Sequence, residues 1–332
     1  MTDRWQEGCP EAGSQSGPEL PVPMIQTINL TKRYGELMAL ANLNLEIEEG
    51  DCFGFIGPNG AGKTTTIKIL ATLLKPSWGE ARINGLSVGP VNARQVRSII
   101  GYVPDYFGSY KDMVVKEYLE FFAASYNIHG SQRQRVIGDV LDLTDLDYKA
   151  EAEVNSLSRG MQQRLSVARV LLHDPKVLLL DEPASGLDPR ARIEMRELLK
   201  ELHRIGKTIL ISSHILLELA DLCNKFGVVE QGQLKFVGSM TEIIDRARAD
   251  VVLHVGVSRR LDEAAVMIKQ IPGVIGTKVT NSHIRVNLDP KAADPAQIAE
   301  RLVSEGYGLT RLEEEKVNLE TAFMRLTKGL VQ

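Results

Sequence analysis

The sequence has 332 residues, enough to bury a large core and to form two domains. Its 39 Lys and Arg residues against 43 Asp and Glu residues give a net charge of −4, which provides no general electrostatic basis for binding nucleic acid. Three widely spaced cysteines, Cys9, Cys52 and Cys223, are typical of reduced thiols in a cytosolic protein and not of a disulfide framework or a metal site.

The first 23 residues contain Gly, Ser, Pro and acidic residues but no apolar h-region. This composition predicts a disordered tail over residues 1–23 and argues against a signal peptide. No later segment approaches the roughly 20 apolar residues of a membrane span, because the longest apolar runs are the size of a strand.

A phosphate-binding loop follows the first predicted strands. Met24–Leu30 and Leu43–Ile47 alternate like strands of an antiparallel subsheet, and Cys52–Ile56 is a strand that leads into Gly-Pro-Asn-Gly-Ala-Gly-Lys-Thr. Glycines let such a loop wrap a polyphosphate closely, and the amides and the start of the next helix face the anion. We expect Lys63 to reach the β/γ-phosphates and Thr64 to ligate Mg²⁺. The predicted ATP-binding residues of the loop are Gly57, Pro58, Asn59, Gly60, Ala61, Gly62, Lys63, Thr64 and Thr65.

A helical insertion is predicted downstream, where Val115, Leu119, Phe122 and Tyr126 recur at helical spacing. We interpret this aromatic stripe as core packing. The loop before it, Asp105–Met113, is rich in Tyr, Phe and Gly.

Two buried strands carry the candidate catalytic residues. Val177–Leu180 is an apolar run that ends in Asp181 and Glu182, and Thr208–Ser213 ends in His214. Asp181 is placed to hold the water shell of Mg²⁺, and Glu182 to polarise an attacking water. The remaining histidines are assigned no role: His129, His173, His203, His254 and His283.

The region after residue 250 predicts a small α+β unit without a catalytic constellation. Its predicted strands are Val251–Val257, Ile275–Val279 and 284–288, the last two joined by a turn at Asn281-Ser282. Three helices are predicted, one around Leu261, Ala265 and Ile268, one around Ile298 and Leu302, and one after Asn318 with Leu319, Phe323 and Leu326 on one face. Dimer support or a regulatory lid is the role that we favour for it.

From about residue 24 to 240, the order and spacing of five motifs resemble those of the ATP-binding cassette family. They are the phosphate loop, Leu157–Arg164, Val177–Pro183, Ser185–Pro189 and Thr208–His214. The resemblance implies a P-loop NTPase of the α/β class, with a mixed sheet core, an antiparallel β subdomain and a helical signature subdomain. It also implies a head-to-tail dimer with two ATP molecules between the subunits. The region after residue 250 is similar, less specifically, to the C-terminal extension of many exporter ATPase subunits.

The resemblance further implies roles for individual residues. Tyr34 would stack on adenine, and His214 would contact the γ-phosphate and the catalytic water. Across the dimer, Ser158 and the Gly160 amide would contact the γ-phosphate, and Asp188 would link the two sites. The region around 105–113 would receive the coupling helix of a membrane subunit.

Three positions depart from the family pattern. Arg159 stands where the second glycine of the signature segment is usual, and Met161 where glutamine is usual. Asp105 stands where the family has a glutamine that ligates Mg²⁺ and senses the membrane partner. Aspartate keeps an oxygen donor for a hard cation, so we retain Asp105 as a third candidate metal ligand beside Thr64 and Asp181.

The resulting prediction is an ATP-hydrolysing subunit of a membrane transporter, with an exporter as the expected type. Its expected domains are a cassette over residues 24–248 and an accessory domain over residues 249–332. It would act on the cytoplasmic face of the membrane, as a homodimer or with a related cassette subunit, together with a separate permease and without nucleic acid. The alternative is a soluble cassette acting on ribosomes or DNA, although only one phosphate loop and no sustained heptad run occur. The transported substrate is not encoded in these motifs.

Overall fold

The computed structural model describes residues 22–106, 108, 113–247, 251–280, 282–289, 292 and 294–315. The predicted tail therefore falls almost entirely outside the described residues, as do the helix expected after Asn318, Asn281 of the predicted turn, and most of the loop that precedes Met113.

The elements alternate between strands and helices in the manner of an α/β protein. The strands are β1 (Ile25–Tyr34), β2 (Leu37–Ile47), β3 (Cys52–Ile56), β4 (Trp78–Ile83), β5 (Leu86–Ser87), β6 (Ile100–Val103), β7 (Val177–Asp181), β8 (Thr208–Ser213), β9 (Lys225–Glu230), β10 (Gln233–Gly238), β11 (Val251–Val257), β12 (Val274–Val279), β13 (Ile284–Leu288) and β14 (Leu309–Glu314). The helices are α1 (Lys63–Leu70), α2 (Ala93–Ile99), α3 (Val115–Ser125), α4 (Gly130–Leu143), α5 (Arg159–Leu171), α6 (Pro189–Arg204), α7 (Leu216–Leu219), α8 (Met240–Ala247), α9 (Leu261–Lys269) and α10 (Pro295–Ser304).

A mixed sheet forms the centre of the cassette. Its strand order is β10-β9-β3-β8-β7-β6, with β9, β3, β8, β7 and β6 parallel and β10 antiparallel at one edge. Every residue of β3, β7 and β8 is buried, as expected for strands covered on both faces. The carboxyl ends of these three strands meet at one edge of the sheet, which is where ligands bind in open α/β folds.

An antiparallel sheet of order β2-β1-β4-β5 forms the second part of the cassette, so the predicted antiparallel subsheet is present. Strands β1 and β2 are longer than the two segments predicted from the sequence. The helical part, with α3, α4 and α5, packs its apolar side chains, Val115 and Leu119 among them, into the same core as β7 and β8. Phe122 is only partly buried there, and Tyr126 ends α3 and stacks on His173, with ring centroids 4.3 Å apart.

Within residues 251–315, the described part of the last segment, four antiparallel strands form a sheet of order β12-β13-β11-β14, with α9 and α10 inserted as β-α-β-β-α-β. This order is that of a ferredoxin-like split βαβ unit. Its core is a cluster of its own that includes Leu253, Ile268, Val286 and Leu302. The predicted strands and the first two predicted helices are all present, while β14 is additional.

The two described cysteines are free thiols in the cassette core. Cys52 in β3 and Cys223 after α7 are both buried, with their Sγ atoms 3.5 Å apart. Burial raises the pKa of the Cys223 thiol well above its usual value, which keeps the group in its unreactive form.

Candidate functional site

The phosphate loop is shaped by glycines that no other residue could replace. A Cβ on Gly57 would lie 2.2 Å from the Val229 carbonyl oxygen. Gly62 has a φ of 104°, and a Cβ there would lie 2.7 Å from the Ala39 carbonyl oxygen. The loop therefore packs tightly against β9 and β2 before α1 begins at Lys63.

The Lys63 ammonium is held within the loop and next to Glu182. It donates to the carbonyl oxygens of Gly57 at 2.8 Å and Pro58 at 3.1 Å, and lies 3.4 Å from Glu182 Oε1. Burial lowers the pKa of Lys63, and the neighbouring Glu182 carboxylate opposes that shift. A polyphosphate entering the loop would meet this ammonium already positioned there.

The Asp181 carboxylate has one satisfied and one unsatisfied oxygen. Oδ1 accepts from Thr64 Oγ1 at 3.0 Å and from Ser212 Oγ at 2.9 Å. Oδ2 is buried and has no hydrogen-bond partner among the described residues. Burial raises the pKa of Asp181 against these two hydrogen bonds, and the charges of Asp105 and Glu182 raise it further.

This arrangement fits a hard dication. An orphaned buried carboxylate oxygen beside a threonine hydroxyl is the donor set that Mg²⁺ takes when nucleotide phosphates and water complete its shell. Among the described residues no group of three His, Cys, Asp or Glu side chains could bind a metal by itself.

Glu182 lies one residue beyond β7 in a strained conformation. Its φ is 47°, a left-handed value that is uncommon for residues other than glycine. Its amide donates to Ser212 Oγ at 3.0 Å, and its Oε2 lies 3.0 Å from Nδ1 of His214. Because a carboxylate only accepts, the hydrogen of this bond belongs to His214 Nδ1. Backbone strain of this kind is common at functional sites, where the surrounding structure holds a side chain in position.

Tyr34 closes the far end of the same site. It lines a cavity of about 250 Å³ with Leu37, Ala39, Glu182 and loop residues 59–65. The ring is 46% exposed, with Lys32 Nζ 5.1 Å from its centroid. An exposed ring at the mouth of a phosphate site has a free face for a planar base.

The other three predicted contacts lie at a different place. Ser158 and Asp188 are the N-caps of α5 and α6, where Ser158 Oγ accepts from the Met161 amide at 3.3 Å. Gly160 lets the two helices approach, because a Cβ on it would lie 2.6 Å from that of Ala191. Ser158, Gly160 and Asp188 line a separate cavity of about 320 Å³. None of the three lines the cavity of Tyr34 and the phosphate loop.

Asp105 is exposed and lines a third cavity with its neighbour Tyr106 and with Arg159, Gln162 and Gln163 of α5. Its charge nevertheless raises the pKa of Asp181.

Tyr102, on β6, was not identified from the sequence. Burial first, then the charges of Asp181 and Asp105, raise the pKa of Tyr102 to about 12, so its hydroxyl stays neutral beside the two carboxylates. Tyr102 lies in the same short segment as Asp105, but only the fold shows its proximity to Asp181.

Among the described residues, no helix combines the length and apolarity required to cross a membrane.

Comparisons with known proteins identify the family of the chain. The family model described as ABC transporter matches residues 40–185. The Nod factor export ATP-binding protein I of Burkholderia orbicola is 35% identical over 309 residues, covering 93% of this chain and 98% of that protein. The linearmycin resistance ATP-binding protein of Bacillus subtilis is 30% identical over 309 residues, covering 92% of this chain and 98% of the relative.

A solved structure shows the same fold with the products of the reaction. A dimeric ATP-binding cassette in a post-hydrolysis state, bound to ADP and Pi, matches with a TM-score of 0.59 and 28% identity. The match covers 65% of this chain and 98% of that one. With near-complete relatives at 30% and 35% identity, the chain belongs to the ABC transporter family, as one of its ATP-binding and ATP-hydrolysing subunits.

Proposed function

We propose that the chain is the motor subunit of an exporter. The observation that carries the chemistry is the cluster of Lys63, Asp181, Glu182 and His214 at the carboxyl edge of the central sheet. Support for the direction of transport comes from the relatives, since those of Burkholderia are named for export and that of Bacillus subtilis for resistance.

The proposed nucleotide contacts are made within one subunit. Tyr34 stacks on adenine, and residues 57–65 surround the phosphates through their amides, with Lys63 turning from its loop carbonyls to the β/γ-phosphates. Thr64 and Asp181 would hold Mg²⁺, with Asp105 contributing to its shell. The ion would supply positive charge to offset the charge that develops on the β/γ-phosphates.

Glu182 is the proposed base. Its carboxylate orients the attacking water and accepts a proton from it, while His214 holds the carboxylate through Nδ1. The strained φ of Glu182 and the Ser212 hydrogen bond to its amide keep the side chain aimed into the site. Phosphoryl transfer requires little covalent chemistry from the protein, so most of the rate enhancement comes from positioning the reactants and stabilising their charge.

Completion of the site is assigned to a second subunit. Ser158 and Gly160 at the start of α5 contact the γ-phosphate bound by the partner, and Asp188 links the two sites. The separation of these residues from the phosphate-loop cavity of their own chain supports this assignment. A helix N-terminus supplies amides and a dipole suited to an anion.

The division into domains is part of the proposal. Residues 24–248 form the cassette and residues 249–332 an accessory domain. Solved cassettes cover about two thirds of the chain, whereas sequence relatives cover 92% and 93% of it. We further propose a membrane permease as a separate partner and a position on the cytoplasmic face of the membrane.

The test is Glu182→Gln, which keeps the shape of the side chain and removes its basicity. We expect the variant to bind MgATP and to hydrolyse it at least about 100-fold more slowly, the scale of losing a positioned base. It should accumulate as an ATP-held dimer on size exclusion. Glu201→Gln, an exposed change on α6, is the matched control and should leave turnover unchanged. Near-normal turnover in Glu182→Gln would refute Glu182 as the base.

A further inference from the structure

Two loops that carry proposed site residues run directly into neighbouring helices. The loop that ends in Asp188 begins α6, and His214 is followed after one residue by α7. Asp188 is assigned to the partner's nucleotide and His214 to the nucleotide of its own subunit. Any contact that joins α6 to α7 therefore joins one ATP site to the other.

Arg192 on α6 makes the first half of such a contact. Its Nε donates to the carbonyl oxygen of Leu187 at 3.0 Å, one residue before Asp188. Its NH1 lies 3.6 Å from Oε1 of Glu218 on α7. One guanidinium thus touches both the Asp188 loop and the next helix, as its planar fork of donors allows.

Glu218 makes the second half. Its Oε2 accepts from Ser213 Oγ at 3.1 Å, and Ser213 Oγ also accepts from the Ile215 amide at 3.0 Å. The residues on both sides of His214 are therefore tied to Glu218. The carboxylate uses one oxygen for the His214 loop and the other for Arg192, so the two loops are linked through a single side-chain pair.

The link adjoins a cavity of about 460 Å³ beside α6 and α7, which is lined by Arg192, Ile193, Leu217 and Glu218 among other residues. Other apolar side chains of the two helices share one core, and the charged pair is a polar contact between the helices beside the two loops. Glu218 is 19% exposed and Arg192 44%, so the pair is partly shielded from water.

We infer that Arg192 and Glu218 are positioning residues that couple the two ATP sites. When the partner's nucleotide draws Asp188 into place, the Leu187–Arg192–Glu218–Ser213 chain moves the His214 loop with it. This inference rests on the proposed function, because it uses the assigned roles of Asp188 and His214. It adds a route by which closure at one site prepares hydrolysis at the other.

The test is a double-mutant cycle on the full chain with Arg192→Ala, Glu218→Ala and the pair. Each single change should lower kcat about tenfold, the scale of a lost charge-assisted hydrogen bond. The Hill coefficient for ATP should fall towards one, and ATP affinity of the monomer should stay unchanged. The double variant should be no slower than the slower single variant, since either change breaks the same link.

Two further variants give the cycle its controls. Arg204→Ala removes an exposed arginine from the same helix, where it pairs with Glu201, and should leave kcat and the Hill coefficient at wild-type values. Glu218→Gln keeps an acceptor for Arg192 and a donor for Ser213 Oγ, should melt like wild type, and should recover most of the rate and cooperativity.

Distinct results overturn distinct claims. Additive losses in kcat, an unchanged Hill coefficient, or weaker binding of ATP to the monomer would overturn the link and leave the proposed function intact. If the alanine variants fail to fold, Arg192→Met and Glu218→Met, which fill the space but cannot make the link, replace them in the same cycle and must show the same non-additive loss of kcat and of cooperativity. Turnover retained in Glu182→Gln would count against the proposed function instead.

Discussion

Asp181 is the residue at which folding and the proposed chemistry conflict most directly. Its carboxylate is fully buried, and burial raises its pKa, so the fold disfavours the charge that a cation site requires. The hydroxyls of Thr64 and Ser212 satisfy only one of its oxygens. The other oxygen remains available, at the cost that a buried unpaired acceptor carries. We interpret this cost as preparation for a bound cation.

Asp105 gives a prediction at the same scale. Asp105→Asn removes a charge that reaches Asp181 while keeping the shape of the side chain. Since a carboxylate binds a hard dication better than a carboxamide does, ATPase activity should require more Mg²⁺ for half-saturation. Metal-free ATP should bind slightly better, because a negative charge near the phosphates is removed.

A Mg²⁺ titration at saturating ATP measures this effect. Asp139→Asn, an exposed change on α4, is the control and should titrate like wild type. If the curves of Asp105→Asn and wild type superimpose, Asp105 is not in the metal shell. Asp105 would then remain only as a lining residue of the cavity that it shares with Tyr106 and Arg159.

At the scale of elements, His173 ties the helical part of the cassette to the central sheet. Its Nε2 lies 3.0 Å from the Ile100 carbonyl oxygen at the start of β6, and its ring stacks on Tyr126 at the end of α3. Nδ1 is buried and has no partner among the described residues. Burial lowers the pKa of His173, and the hydrogen bond to Ile100 opposes the shift only in part.

A pH dependence of stability follows from that shift. The folded protein favours neutral His173, so its contribution is fully present above the ordinary pKa of 6.5 and is lost progressively as pH falls below that value towards the lower pKa of the folded state. Thermal melting of wild type should therefore drop more between pH 7.5 and 5.5, two conditions that bracket about 6.5, than melting of His173→Phe. His129→Phe, at an exposed histidine, should show the full wild-type drop. Equal drops in wild type and His173→Phe would contradict the argument.

Elements with a regular apolar pattern could be predicted from the sequence, and β14 could not. The strand patterns of β11, β12 and β13 and the helical spacing on α9 and α10 predicted five elements of the last segment. Strand β14 carries apolar residues only at Leu309 and Leu312, three apart, among Thr, Arg and Glu. It becomes a strand because β11 offers it a free edge, and charges are usual on an edge strand.

The candidate site divides in a similar way. The phosphate loop, Asp181 and Glu182 are local patterns, and a motif of consecutive residues can be recognised without the fold. The Lys63–Glu182 contact, the closeness of Tyr102 to Asp181 and the Arg192–Glu218 pair join distant parts of the chain. Such contacts depend on which strands become neighbours, which no short window of sequence specifies.

At the scale of the whole molecule, the last sheet has a core of its own. Leu253, Ile268, Val286 and Leu302 belong to a cluster made only of residues from 253 to 307, plus partly buried neighbours up to 312. A chain ending at residue 248 should therefore keep the melting temperature and monomer ATP affinity of the cassette. Differential scanning calorimetry and ATP titration measure both. Loss of ATP binding in the shortened chain would contradict the proposed domain boundary.

The head-to-tail dimer predicts different defects for two residues of one site. In the proposed arrangement Lys63 contacts the nucleotide bound by its own subunit, so Lys63→Ala should weaken binding of ATP to the monomer. Ser158 lines a separate cavity, so Ser158→Ala should spare monomer binding and impair closure and turnover. Equal losses of monomer affinity would contradict the arrangement.

Mixing the two variants tests the arrangement without relying on either defect alone. In a mixed dimer, the Ser158→Ala subunit supplies an intact Lys63 and the Lys63→Ala subunit supplies an intact Ser158 to the same nucleotide. One of the two sites is then complete, because each subunit contributes what the other lacks. ATPase activity of the mixture should exceed that of either variant alone. As a control, mixing either single variant with an equal amount of the Lys63→Ala, Ser158→Ala double variant should restore no activity. If both residues served the nucleotide of their own chain, the mixture would contain no complete site and its activity would equal the average of the two variants.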